Sequence, residues 1–234
     1  MVLTMHGFAA KPTNPQQYDY TITLGEQSFD PLEHMAPMPL EWGHVAQEGN
    51  DLRLIQFDGP IQESWVESMQ NAGLKPVQYI HPFTYITWAA PESMNDVSHI
   101  PHLRWSGDFV NGYRVLPKWR GLNVTPICAR VMAYKGADIA EVIEQLQIAG
   151  ATRIDQRSLD LRFEIISFIT PGNSLNEISK IRGVFTVQPT PTDGGLRSEM
   201  SNQINAGNFD AGNNAFPGYR DWIQDVGVDG DGVT

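Results

Sequence analysis

The sequence has little of what defines several large protein classes. Its single cysteine, Cys128, excludes an internal disulfide framework and a cysteine-rich zinc site. The densest apolar run, Phe163–Ile169, is interrupted by Glu164 and Ser167 and is far shorter than the roughly 18 residues that span a bilayer. The chain has only 16 Lys and Arg but 27 Asp and Glu, which gives a net charge of −11. Binding to the phosphates of a nucleic acid needs a basic surface. We therefore expect neither a membrane nor a nucleic acid as partner.

The composition is nevertheless that of a folded protein. Hydrophobic residues make up 41% of the chain and aromatic residues 10%, which is enough to bury a core. The first ten residues have neither the cationic region nor the apolar segment of a secretory signal. The residues alone therefore leave the compartment open.

An internal duplication is the most informative feature of the sequence. Three segments recur in the same order, and in the first pair an Arg and a closing Gly coincide. The pairs are Leu52–Gly59 with Ala129–Gly136, Glu67–Gly73 with Glu144–Gly150, and Ser93–Ile100 with Ser174–Ile181. We interpret residues 50–112 as a first repeat and residues 124–190 as a second.

Each repeat is predicted to run strand, helix, strand, strand, helix, strand. The first matched segment is β-rich and ends in a glycine turn, and apolar residues at helical spacing follow over 61–73 and after Asp138, a good N-cap. The alternation of Leu159, Leu161, Phe163 and Ile165 predicts a half-buried strand. A short helix is expected from Ser93 and from Ser174, and final strands are expected at Leu103–Phe109 and Val184–Pro189.

This order predicts an α+β fold of two tandem ferredoxin-like (βαββαβ) units, each a four-stranded antiparallel sheet with two helices on one face. The predicted organisation is an irregular N-terminal extension (1–49), unit 1 (50–112), a linker (113–123), unit 2 (124–190) and a Gly-, Asn- and Asp-rich tail (191–234). Units of this size are marginal alone, so we expect them to pack together.

No catalytic, metal or cofactor site is predicted. There is no Gly-x-Ser-x-Gly motif, and His6 has no partner motif. Cys128 lies in a predicted strand and is expected to be a buried small hydrophobe. His99 and His102 have only Asp96 as a further nearby ligand and are expected at a solvent-facing helix end.

Three other patterns have structural explanations. Asp225–Asp231 resembles the start of a calcium loop but lacks the closing Glu, so an acidic turn is preferred. Gly194-Gly195 lacks the spacing of a phosphate loop and a following Lys. Trp65, Trp88 and Trp105 are expected in the core.

Two segments and the tail together resemble the N-terminal region of secreted bacterial subtilisin-like serine proteases. The segments are Leu52–Ile61 and Tyr79–Tyr85. In the tail, Gly218–Trp222 leads into Gly227–Thr234, which is similar to the turn that feeds the first strand of the catalytic domain in that family. The resemblance implies that this chain is a pro-region, that the sequence continues into a serine endopeptidase domain, and that the protein is secreted.

Pro-regions of this family are ferredoxin-like units that template the protease and block its cleft. The resemblance thus implies a chaperone and inhibitor without a triad of its own, whose partner is the catalytic domain in cis. The expected cleft-binding segment is Phe185 to Thr192, with an apolar subsite filled by Phe185 or Val187. The candidate tail residues are Phe185, Val187, Gln188, Pro189 and Thr190. Two units instead of one leave open which of them inhibits.

Two alternatives remain. A tandem ferredoxin-like module that binds a small ligand between its units would also explain the duplication. An RNA-recognition module of the same topology is disfavoured by the charge, and Phe57 and Tyr134 are its only stacking candidates in the matched strands.

Overall fold

The described part of the chain combines helices with antiparallel sheets. The computed structural model describes residues 18–34, 37–95 and 97–190. Within them, three α-helices accompany one two-stranded and two four-stranded sheets. The α+β class predicted from the sequence is confirmed. No helix in these residues is long and apolar enough to cross a membrane.

A short hairpin precedes the first repeat. Strands β1 (Ile22–Leu24) and β2 (Gln27–Phe29) are joined by a turn in which Gly25 has a φ of +62°, a conformation that glycine adopts without steric cost. Ile22 and Phe29 lie opposite each other and are fully buried. The hairpin therefore presents an apolar face to the rest of the chain.

The first repeat forms a four-stranded sheet with one α-helix. Its elements are β3 (Asp51–Phe57), α1 (Glu63–Asn71), β4 (Lys75–Ile80), β5 (Thr84–Ala89) and β6 (Leu103–Asp108). Trp65 and Met69 lie one helical turn apart on the buried face of α1. The short helix expected from Ser93 is instead a single 3₁₀ turn over Pro91–Met94, so Ser93 lies inside the turn and caps nothing.

The elements of the second repeat follow the same order, with an α-helix near the position where the first repeat has only a 3₁₀ turn. They are β7 (Pro126–Tyr134), α2 (Ile139–Ile148), β8 (Thr152–Ser158), β9 (Phe163–Pro171), α3 (Leu175–Ser179) and β10 (Val184–Pro189). As predicted, Asp138 caps α2: its Oδ1 accepts from the backbone N–H groups of Ala140 at 2.9 Å and Glu141 at 3.3 Å. Ser174 precedes α3 but makes no side-chain capping bond.

The predicted half-buried strand begins later than its apolar alternation suggests. Phe163 and Ile165 are buried in β9, whereas Leu159 is 53% exposed and Leu161 is 96% exposed. Asp160 shapes the connection between β8 and β9 by accepting backbone bonds from Arg162 and Phe163. The strand predicted over the two leucines is therefore wrong, because local hydrogen bonds turn the chain there.

The two four-stranded sheets have the same strand order. The first is ordered β4-β5-β3-β6 and the second β8-β9-β7-β10, and all neighbouring strands are antiparallel. In each, the first strand of the repeat is central and lies between the third and the fourth.

Three apolar clusters hold the hairpin, the two four-stranded sheets and the helices together. One lies between the second sheet and its helices, with Val131, Leu146 and Ile166 at its centre. Another lies between the first sheet and α1, around Ile55 and Phe57. The third joins the hairpin and the other face of the first sheet to aromatic residues of the second repeat: Ile22, Leu24, Phe29, Leu52, Leu54, Val77, Ile86, Phe109, Tyr134 and Phe163. Both faces of β3 are consequently covered.

A buried ion pair also links the two repeats through the segment between them. The Arg114 guanidinium lies 2.8 Å from Asp51 Oδ2 and donates to the carbonyl of Ile181 at 3.0 Å. Asp51 Oδ1 also accepts from the backbone N–H of Gly183 at 3.1 Å. Arg114 therefore connects the start of β3 to the loop before β10.

Candidate functional site

The predicted cleft-binding residues lie largely in β10, an outer strand of the second sheet. Val187 has no exposed surface and belongs to the core between sheet and helices. Phe185 packs against Phe109 and Phe163, with ring centroids 5.8 and 5.1 Å apart. Both apolar side chains are thus occupied inside this fold, and a subsite in another protein would have to compete with these contacts.

The polar end of β10 is tied to β7. The backbone N–H of Thr190 donates to the carbonyl of Cys128 at 2.8 Å. With its amide oriented to satisfy both side chains, Gln188 accepts from Arg130 at 2.8 Å. Because backbone bonding alternates along an antiparallel strand, Pro189 faces the outer edge, where it offers no N–H. The outer edge of β10 is a poor template for strand addition.

The helix-free face of the second sheet is only half covered. One half carries Tyr134 and Phe163, which pack on the first repeat. We call the other half the open face; its residues are Cys128, Arg130, Asp155, Ser167, Ile169 and Gln188, all exposed or half-buried. They lie on one side of the sheet because Cys128 pairs with Ile169, and Arg130 with both Ser167 and Gln188. Sequence patterning alone did not identify this face.

Cys128 corrects the sequence-based expectation. It lies in β7 as predicted, but its side chain is exposed instead of buried. The strand places Ala129 and Val131 against the helices, and side-chain alternation turns Cys128 to the opposite side. Its burial depended on whether that side was covered.

A cavity of about 390 Å³ opens where the two repeats meet. The first repeat contributes Asn50 and Trp88, and the second contributes the beginning of α2 and the loop before β10. Its lining residues are Asn50, Trp88, Gly136, Ala137, Asp138, Glu141, Val142, Gln145, Lys180, Ile181 and Arg182. None of them was singled out as a ligand contact from the sequence, because the cavity exists only once the repeats have packed.

The histidines do not form a metal centre in the described residues. His102 stacks on Trp65 with centroids 4.1 Å apart, and its Nδ1 lies 3.1 Å from Asp58 Oδ1. Among the residues that the structure describes, no group of three His, Cys, Asp or Glu could hold a metal ion. Asp96, the third ligand considered for His99, lies outside the described residues.

Two pKa shifts reflect the local structure. Burial raises the pKa of Tyr113 to about 12, since ionisation would place a charge among the rings of Phe29 and Phe109. The backbone N–H of Arg162 lowers the pKa of Asp160 below its usual range. Neither group lines the cavity or the open face.

Several sequence-based predictions lie outside the described residues. They concern His6, the acidic turn at Asp225–Asp231, Gly194-Gly195, and the tail over 191–234 that carries part of the subtilisin-like resemblance. The tryptophan predictions can be examined: Trp65 is buried, and Trp88 and Trp105 pack against the core.

The described residues form an α+β fold whose two four-stranded sheets have the same strand order. A domain of unknown function (DUF8729) matches residues 23–110. No curated protein and no solved structure matches the chain. The matched region begins in β1 and ends just beyond β6, so it combines the hairpin with the first repeat, in agreement with their shared apolar cluster.

Proposed function

We propose that the two repeats are tandem ferredoxin-like units that act as the pro-region of a subtilisin-like serine endopeptidase. In this role the chain assists folding of the catalytic domain in cis and inhibits it, and the protein is secreted. The common strand order supports the ferredoxin-like assignment, since each sheet places its first strand between the third and the fourth.

We propose that the second repeat makes the inhibitory contact. The open face is the observation that carries this choice, because the corresponding side of the first sheet is covered by the hairpin and by Tyr134 and Phe163. A helix-free sheet face can pack on the surface of a partner. The chain also leaves β10 at Thr190, beside this face. We propose that this end of β10 approaches the substrate cleft.

A charge placed on the open face should weaken inhibition. The experiment expresses the catalytic domain that the proposal places after Thr234 and adds the full chain in trans, with hydrolysis of a chromogenic peptide as readout. Cys128→Arg should raise the inhibition constant by about tenfold or more, because it puts a large cation into a packed interface. Gln147→Arg is the matched control, since it adds the same charge on an exposed position of α2.

The two variants separate an effect on contact from an effect on charge. Unchanged inhibition by the Gln147→Arg chain is expected, with both variants unfolding at the temperature of the parent chain. If the Cys128→Arg chain inhibits as strongly as the parent chain, the open face is not the inhibitory contact. The absence of an encoded catalytic domain after Thr234 would overturn the pro-region function itself.

A second candidate function is a regulatory module that binds a small ligand between the repeats. The cavity at their junction favours it, because both repeats contribute to the walls. A ligand that binds only the folded chain raises its unfolding temperature. We expect the midpoint of thermal unfolding to rise with a free amino acid or a nucleotide; no rise with any of them would contradict this function.

A further inference from the structure

The cavity at the junction of the repeats carries charges of both signs. Lys180 and Arg182 enter it from the loop before β10, and Asp138 and Glu141 enter from the beginning of α2. The four side chains sum to zero charge. We infer that this cavity binds a free α-amino acid with an apolar side chain, held as a zwitterion; the inference rests on the small-ligand function proposed above.

The two cations can receive a carboxylate. Arg182 Nη2 lies 2.6 Å from Glu141 Oε1, and Lys180 Nζ lies 2.6 Å from Glu177 Oε1. Both acidic partners are about half exposed or more, and exposed ion pairs of this kind contribute little to stability. Sharing either cation with a ligand carboxylate therefore lowers the stability of the protein only slightly.

The beginning of α2 offers sites for an ammonium group. Asp138 uses Oδ1 to cap the helix, and within the described residues no side chain or backbone group bonds its Oδ2. The Glu141 carboxylate lies one helical turn further on. An ammonium group between them would satisfy both acids while the ligand carboxylate engages Arg182 and Lys180.

An apolar wall completes the cavity. Trp88 and Val142 line it together with Ala137 and Ile181. Gly183 allows this wall to close, because a Cβ there would collide with the Ala137 side chain and lie 3.5 Å from the Trp88 ring. An aliphatic or aromatic side chain fits this surface, whereas a second charged group would be desolvated against it.

Size and charge argue against a larger anion. The volume of about 390 Å³ is near the lower end of the roughly 300–1,000 Å³ that is usual for ligand pockets. A nucleotide phosphate would pair with Lys180 and Arg182 but would offer no cation to Asp138. A small molecule with one positive and one negative group matches the walls without leaving a charge unpaired.

Calorimetric titration of the full chain with charge-blocked analogues tests this inference. L-Leucine should bind, and N-acetyl-L-leucine and L-leucine amide, which each lack one charge, should bind about tenfold more weakly or worse, since hydrogen bonds to charged groups contribute on that scale. Arg182→Gln should weaken L-leucine binding to a similar extent. Arg157→Gln should leave it unchanged, because Arg157 is exposed on β8 and does not line the cavity.

The outcomes distinguish the inference from the function on which it rests. If 5′-AMP binds and L-leucine does not, the zwitterion inference fails and the small-ligand function stands. Binding of both blocked analogues as tightly as L-leucine would also overturn the inference, and this comparison needs no variant. If neither L-leucine nor 5′-AMP binds, both proposals fail.

Discussion

Replacing Arg114 by Met is expected to lower the free energy of unfolding by about 3–5 kcal/mol, measured by urea denaturation at neutral pH. The variant leaves Asp51 buried, with 3% of its surface exposed, and removes the cation that balances it. The carbonyl of Ile181 loses its donor at the same time. Breaking a buried pair from one side is costly because the remaining charge has no water to solvate it.

Removing both charges should restore much of this loss. The double variant Asp51→Leu with Arg114→Met has no orphaned charge and should be more stable than Arg114→Met alone. Arg157→Met is the control for replacing an arginine by methionine and should change stability by no more than about 0.5 kcal/mol, since the position is exposed. A loss below about 1 kcal/mol for Arg114→Met would show that the pair does not hold the repeats together.

Local patterns predicted the elements of the fold well where the signal lay within one element. Asp138 was identified as an N-cap from the residues that follow it, and Val184–Pro189 was identified as a strand with the bounds that the structure shows. Such signals depend on helical spacing, side-chain alternation and capping, which neighbouring residues determine. The domain boundaries stay predictions.

Contacts between distant segments could not be predicted in this way. Arg114 lies in the segment that was predicted to be a linker (113–123), yet its partner Asp51 is 63 residues away. The expected burial of Cys128 failed for a related reason: alternation shows that two sides of β7 differ, but not which part of the second side another layer covers. Pairwise specificity of this kind emerges only when the sheets have packed.

The candidate sites show the same limit. Val187 and Phe185 were chosen from an extended, proline-containing segment, and the structure places their side chains in apolar clusters. The open face and the cavity combine residues from several strands or from both repeats, so no single stretch of sequence contains either of them. A duplication could suggest a junction, but only the packing of Trp88 against the second repeat defines its shape.

Replacing Phe163 by Ala should lower the free energy of unfolding as much as the loss of Arg114 does, because it removes buried apolar contacts. Phe163 is 3% exposed and lies between Tyr134 and Phe185 in the cluster that joins the repeats. Replacing a buried Phe by Ala removes transfer energy and leaves a cavity, which together lower the free energy of unfolding by about 3–5 kcal/mol. Leu161→Ala is the matched control in the connection between β8 and β9, since Leu161 is 96% exposed. It should have almost no effect on the free energy of unfolding.

The shape of the urea unfolding curve of Phe163→Ala is as informative as its midpoint. If the shared cluster makes the repeats one cooperative unit, far- and near-ultraviolet circular dichroism should follow one urea transition in the parent chain, and Phe163→Ala should shift the whole transition. If the repeats unfold independently, truncation should split the curve and leave one part close to its original midpoint. Because each repeat is small and marginal alone, we expect the single, wholly shifted transition; a split curve would mean that the aromatic cluster connects the two sheets without coupling their stability.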